Sequence, residues 1–292
     1  MVKSKTSEIA AYVLLGLFAL SIVLPFILLL SSSLTDEIAI TRNGYGFIPS
    51  VFSTDAYKYL WNSAATIGKA YLVSILVTLA GTLAGLILTV TCAYPLSRKD
   101  LPGRKVMTFF VFFTMLFNGG LVPTYLVYTQ VLHIKNTIWA LLVPNLLIQA
   151  YNVMLAKTFF QSSIPVEVLE AARIDGAPEA VIFGKIVLPM SKPIFATLGL
   201  FISVTYWNDW MNGLVYLTKS DLYSLQNLLY RMTSNIQFLS TSSVGGSVST
   251  LDLPSQTVRM AIAIIGVIPM IAAYPFFQKY FVKGISLGAV KG

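Results

Sequence analysis

The chain has 292 residues, of which 56% are hydrophobic and only 11% charged. So few charges cannot clothe a globular surface, which excludes a single soluble core and indicates an integral membrane protein. The formal net charge of +8 does not point to nucleic acid, because the bases are scattered between apolar runs instead of gathered on one solvated face. Cys92 is the one cysteine and His133 the one histidine. An intrachain disulfide and a cysteine zinc site are therefore excluded, and no metal site or catalytic residue is expected.

Apolar runs long enough to cross a bilayer lie near 9–30, 70–95, 106–128, 138–160, 194–212 and 258–277. They predict an all-α membrane protein with six transmembrane helices, since in lipid each helix satisfies its own backbone polar groups. Lys3 and Lys5 before the first run resemble the start of a signal peptide. That run is as long as a full span, however, and is read as an uncleaved first helix. With the amino terminus cytoplasmic and the segments alternating, most of the 20 lysines and arginines fall on the cytoplasmic side. Both termini are placed there.

The first outer loop, 35–69, carries Gly44, Gly46 and Pro49 and is expected to be a lid or a short amphipathic piece. In helix two, Ser74, Thr78, Gly81, Thr82, Gly85 and Thr89 recur at steps of three or four. Such a stripe is a close-packing face more readily than a ligand surface. The turn 97–105, SRKDLPGRK, is a short basic loop broken by Pro102 and Gly103. Asn118, Gly119, Gly120 and Pro123 should kink or unwind helix three.

Helix four places Asn145, Gln149 and Asn152 on one face. These amides either bond across helices or line a wet cavity. Helix five ends with Thr205, Asn208, Asp209 and Asn212 on one face and Tyr206 and Trp210 on another. A carboxylate at the centre of a span costs roughly 2.5 to 3.5 kcal/mol. Asp209 should therefore face protein or water, or sit at the outer interface beside tryptophans. The longest outer segment, 213–257, includes a Ser/Thr/Gly-rich piece, 240–250, and implies either a binding role or disorder. Helix six contains Gly266 and Pro269, and the basic tail after it is placed in the cytoplasm.

The stretch between helices four and five differs from the rest. Ser163 is expected to cap a helix with Pro165 in its first turn, an apolar stripe of Val166, Leu169 and Ala172, and Gly176 as a left-handed end. Pro178 then opens a second helix that Pro189 stops. Glu167, Glu170, Arg173, Asp175 and Glu179 keep the pair out of the membrane. Mixed charges around an apolar face suit a protein groove better than anionic lipid.

Glu170-Ala171-Ala172, Gly176 and Ile186-Val187-Leu188-Pro189 resemble the EAA motif, E-A-A-x3-G-x9-I-x-L-P, of permease subunits of bacterial ABC importers. Phe47-Ile48-Pro49, Trp207-Asn208-Asp209 and the 278–284 tail extend the resemblance over nearly the whole chain, towards the second permease of carbohydrate importers of the maltose type. Leu225-Gln226-Asn227-Leu228-Leu229 and the 285–292 tail look closer to the oligosaccharide and polysaccharide-fragment subgroup.

The resemblance implies a type I importer permease fold in a bacterial cytoplasmic (inner) membrane. A single permease domain would span 1–292, with a cytoplasmic coupling segment at 161–193 and an extracytoplasmic loop at 213–257. It implies a second permease, two ATPase subunits carrying ATP and Mg, and an extracytoplasmic sugar-binding protein. Glu167, Glu170, Ala171, Ala172, Asp175, Gly176, Leu188 and Pro189 would form the ATPase-coupling site. Asn118, Asn145, Gln149, Tyr206, Trp207, Asn208 and Asp209 are candidates for the carbohydrate pathway, because amides and aromatic faces are what sugars need. They could equally be packing or gate residues.

No G-x-x-x-x-G-K-[ST] occurs, so the chain is not itself the P-loop ATPase. An intramembrane enzyme would have Asp209 and Asp252 as its only plausible outer-side acids, and a secondary transporter would show inverted repeats. A permease of the same class for another small polar solute is the alternative within the resemblance.

Overall fold

A computed structural model describes residues 5–144, 146–241 and 255–289. The described residues are mostly helical and contain no strand beyond an isolated bridge between Thr35 and Phe52. The chain falls into two compact units, 1–68 with 228–269 and 69–227 with 270–292.

In the first unit, α1 (Lys5–Ser33) runs into two short helices, α2 (Glu37–Asn43) and α3 (Asp55–Trp61). The Asp36 carboxylate caps α2 by accepting from the backbone of Ile38 at 3.0 Å and Ala39 at 3.1 Å. Glu37 reaches the start of the long last helix, α15 (Ser255–Ala289), where its carboxylate accepts from Gln256 N, Thr257 N and Thr257 Oγ1 at 2.8–2.9 Å. A negative charge there satisfies donors that a helix start leaves open. Ala39, Ile40, Ala56, Leu60, Val258, Ala261 and Ile262 are buried in this unit.

The second unit begins within α4 (Ala64–Ser97) and continues through α5 (Arg104–Leu116) and α6 (Leu121–Leu126) to a wide turn, Val127–Val131. The expected break in helix three is a bend of 112° between Arg104–Leu116 and Leu121–Val131. Among the described residues, α4 and the stretch Ala11–Ser33 are each long and apolar enough to cross a membrane.

Helix four differs from its expectation. It is not one helix but α7 (Trp139–Leu142), an irregular stretch, and α8 (Ala150–Ser163). Pro144 explains the break, since it lacks an N–H and its ring collides with the carbonyl four residues back. Gln149 is extended (φ −108°, ψ 122°), so Gln149 and Asn152 do not share a helical face; Asn145 lies outside the described residues. The carbonyls freed by the break find partners: Tyr206 Oη donates to Leu142 O at 2.8 Å and Asn212 Nδ2 to Pro144 O at 3.0 Å.

The coupling stretch also differs in detail. Ser163 ends α8 instead of capping the next helix, α9 (Val166–Ile174), whose cap position is Pro165. After α10 (Glu179–Ile182) the chain widens through Phe183–Val187 into α11 (Leu188–Met190), so Pro189 does not stop the helix. The wider turn moves a carbonyl out of the path of the proline ring. The chain bends by 79° between Glu179–Met190 and Lys192–Trp207, the latter being α12.

Helix five stops at Trp207, and α13 (Met211–Tyr216) starts afresh. Thr205, Asn208, Asp209 and Asn212 therefore do not lie along one helix. Asn208 Nδ2 donates to Val204 O at 2.9 Å, and Asp209 Oδ1 accepts from Asn212 N at 3.2 Å; both offer the backbone alternatives to a continuing helix. The supposed long loop after it is largely helical, with α14 covering Leu225–Thr241. The Ser/Thr/Gly-rich piece from 242 onwards lies outside the described residues.

The small-residue stripe of α4 is a packing face. A Cβ on Gly81 would lie 2.3–2.6 Å from three ring atoms of Tyr206, and one on Gly85 would lie 3.2 Å from Ile202. Ser74 Oγ, further along the stripe, accepts from Leu225 N at 2.7 Å. Ala93, Leu141, Val153, Ala156, Ile182, Val187 and Leu198 form the buried centre of the same unit. Gly81→Ala should lower the melting temperature of the detergent-solubilised protein, because a methyl forced into a full contact costs about 1–3 kcal/mol. The loss should be partly recovered in Gly81→Ala/Tyr206→Ala, and equal additive losses would show that the two residues do not touch.

Candidate functional site

The site that the fold builds lies at the end of α4, where the hairpin of α9 and α10 meets the 98–104 turn. Gly176 makes the hairpin possible. Its φ of +79° is a left-handed conformation that costs a side chain about 1–2 kcal/mol. A Cβ there would meet nothing within 4 Å, so the demand for glycine is conformational and not one of space.

The inner face of α9 is apolar: Leu169 is buried and Ala172 packs beside it against the core of the second unit. Its outer face carries Glu167, Glu170 and Ala171, and beyond them Ile174 and Asp175, all exposed. Ile174 is 87% exposed and Val166 54%, an unusual display of apolar area in a segment with so many charges. The carboxylates of Glu167, Glu170 and Asp175 make no hydrogen bond or ion pair among the described residues. Val166, expected with Leu169 on the inner stripe, is instead on the outside. Of the remaining motif residues, Leu188 is half-buried against the core and Pro189 is exposed.

Other charges of the hairpin are fully engaged. Arg98 Nε lies 3.2 Å from Asp100 Oδ1, and Arg98 Nη1 lies 3.4 Å from Glu179 Oε1. Arg173 Nη2 lies 2.9 Å from Asp100 Oδ2 and 3.1 Å from Glu179 Oε2. Two arginines and two acids thus close a ring in which each acid bridges both cations. Tyr94, on the last turns of α4, donates its hydroxyl to Glu179 Oε1 and stacks its ring 4.8 Å from that of Phe183. Burial of Arg98 works against its charge, but the hydrogen bond to Asp100 and the neighbouring Glu179 carboxylate outweigh it and push its pKa up. Beside the ring lies an open cavity of about 500 Å³ bordered by Thr91, Pro95, Leu101, Pro102, Ala180 and Phe183.

This ring was not legible as a site in the sequence. Arg98 and Asp100 sit in a loop whose bases satisfy a topology rule, and Arg173 and Glu179 read as charges that hold a segment in water. The mixed sign of SRKDLPGRK was the available signal, because Asp100 interrupts an otherwise basic run.

Among the described residues, the pathway candidates have the following surroundings. Tyr206 and Trp207 are buried, the first against Gly81 and the second with its ring 6.4 Å from that of Tyr71. Asn208 is exposed, and Asp209 is half-buried under the start of α13. Gln149 Oε1 accepts from Asn152 Nδ2 at 3.1 Å. Asn118 Oδ1 accepts from Gly120 N at 2.8 Å, and Asn118 borders a cavity of about 160 Å³ with Thr124, Met211, Asn212 and Tyr216. Among the described residues, Asn118 is the one candidate that lines this cavity. Among the described residues, no group of three histidine, cysteine or acidic side chains is placed to hold a metal ion.

Residues 4–287 match the family model described as binding-protein-dependent transport system inner membrane component. The polygalacturonan/rhamnogalacturonan transport system permease protein YtcP of Bacillus subtilis (strain 168) is 41% identical over 99% of this chain and 100% of its own length. Protein LplC of the same organism is 38% identical over 92% of this chain and 90% of its own length. A solved bacterial ABC transporter involved in the import of the acidic polysaccharide alginate has a chain that superposes with a TM-score of 0.79 at 31% identity, over 96% of this chain and 99% of that one. The chain belongs to the family of inner membrane components of binding-protein-dependent transport systems.

Proposed function

We propose that this chain is the permease subunit of an ATP-driven, binding-protein-dependent importer of oligosaccharides or polysaccharide fragments, and that α9 is the helix through which an ATPase moves it. The observation that carries this reading is the two-sidedness of α9. Its inner face is packed into the permease, while its outer face offers Val166, Ile174 and three unengaged carboxylates around the small residue Ala171. A short rigid helix with that face fits a groove on a partner protein. Bounded by Pro165 and Gly176, it would pass on a push as rigid-body motion.

In this reading the six spans are α1, α4, the bent α5–α6 pair, the broken α7–α8 segment, α12 and α15. Both termini and 161–193 face the cytoplasm, and 213–257 faces outward. The chain supplies half of the pathway and a second permease the other half. ATP and Mg are held by two separate ATPase subunits, and an extracytoplasmic binding protein delivers the sugar. The cargo class rests on the names of the relatives, which include transporters of polygalacturonan, rhamnogalacturonan and alginate. Mass spectrometry of the carbohydrate that co-purifies with the binding protein identifies the cargo.

Gly176→Val should leave the protein inserted and folded but reduce ATP-driven uptake into vesicles about tenfold, since 1–2 kcal/mol of strain depopulates the docked hairpin by that order. Glu170→Lys reverses a charge that has no partner among the described residues and should abolish uptake with no change in melting temperature. Wild-type uptake by either variant would refute the role given to α9. The purified chain alone is expected to hydrolyse no ATP, and a measurable rate without a partner would overturn the division of labour.

A further inference from the structure

We propose that the ring of Arg98, Asp100, Arg173 and Glu179, locked to α4 by Tyr94, is the joint that transmits movement of the α9–α10 hairpin to the membrane helices, with Glu179 as its positioning residue. The proposal rests on the reading of α9 as the coupling helix. Glu179 is the first residue of α10, and its two oxygens face different elements. Oε1 takes the Tyr94 hydroxyl and Arg98 from the α4 side, and Oε2 takes Arg173 from α9. One carboxylate therefore ties α4, α9 and α10 together. Asp100 repeats the link from the 98–104 turn, receiving Arg98 on one oxygen and Arg173 on the other.

Packing also joins these elements, since Tyr94, Leu169 and Ile182 belong to one buried core with Ala172 and Phe183 packed against it. Beside the ring the contact is looser, because an open cavity of about 500 Å³ is bordered by Thr91 and Pro95 of α4 and by Ala180 and Phe183. Beside that cavity the hairpin is held as well by the charged ring and the Tyr94–Phe183 ring contact. The arrangement suits a joint better than a staple. Exposed ion pairs contribute little stability singly, and Asp100 and Glu179 are 58% and 47% exposed. Their geometry, however, fixes direction: Arg173 Nη2 lies between Asp100 and Glu179, so α9 cannot slide along α4 without losing both partners.

The test uses the complete transporter in liposomes, with its second permease, ATPase subunits and binding protein, and an oligogalacturonide as the transported probe. The reading is the amount of probe taken up per ATP hydrolysed. Glu179→Ala and Arg173→Gln should lower this ratio severalfold, and Arg173→Lys, which restores a cation between the two acids, should recover it. A variant that merely weakens the fold lowers uptake and hydrolysis together and leaves the ratio unchanged; that result in both variants overturns the proposal. A parallel Ile174→Cys substitution in a Cys92→Ser background reports on the underlying reading. If it fails to cross-link to an ATPase subunit in the wild-type ring, α9 is not the coupling helix and the joint falls with it. If it cross-links while the ratios stay unchanged, the ring alone is rejected.

Discussion

One contact on which much of the second unit depends is the seat of the Tyr206 ring on Gly81. Between apolar helices in lipid there is little to gain from hiding surface, so association rests on close approach and on hydrogen bonds that have no competitor. The missing side chain at Gly81 lets the Tyr206 ring approach α4 to within the space a Cβ would fill. From there its hydroxyl reaches Leu142 O, one of the carbonyls that the break at Pro144 leaves without an intrahelical donor. Asn212 does the same for Pro144 O from the next helix along. An interrupted helix is tolerable at membrane depth only when its open backbone groups are bonded inside the protein. The irregular stretch between α7 and α8 is therefore underwritten by side chains of α12 and α13, and these in turn by a glycine on α4.

The same logic explains why helix five ends where it does. Asn208 and Asp209 turn their side chains onto nearby backbone groups, and α13 restarts with Gly213 pressed against α14. A Cβ on Gly213 would lie 2.8 Å from the side chain of Asn227, whose Nδ2 donates to Trp210 O at 2.9 Å. Asn208 and Asp209 thus each make a hydrogen bond that closes the backbone at a bend.

The legible and illegible parts of the sequence divide along that line. Long apolar runs, the kink announced by Asn118, Gly119, Gly120 and Pro123, and the glycine-bearing stripe of α4 were all readable, because each depends on local composition or on spacing along one helix. The hairpin at Gly176 was readable for the same reason. What was not readable depends on partners distant in sequence. Pro144 was hidden inside an apolar run, and nothing local told that its open carbonyls would be met by Tyr206 and Asn212. Asn208 and Asp209 were placed on a helical face by assuming that the helix went on. Arg98 and Arg173 are separated by a broken helix and a hairpin, so no spacing rule could bring them to the same two acids. The motif residues of α9 were identified by resemblance, but which of them face outward follows only from the packing of Leu169 and Ala172.

Charges on the α9–α10 hairpin are sorted by destination, and that sorting separates its two tasks. Arg173 and Glu179 are committed to Asp100, Arg98 and Tyr94, with both signs balanced inside the ring. Among the described residues, Glu167, Glu170 and Asp175 have no ion-pair partner, although Arg173 stands on the same short helix. Arg173 lies in the last turn of α9, where a cation is favoured by the helix dipole, and it is turned away from Glu170 towards α4. A segment needing charge only to stay in water would gain by pairing these groups with one another along the helix. Instead three carboxylates are left exposed near Ile174 while Glu179, the fourth acid of the hairpin, is engaged.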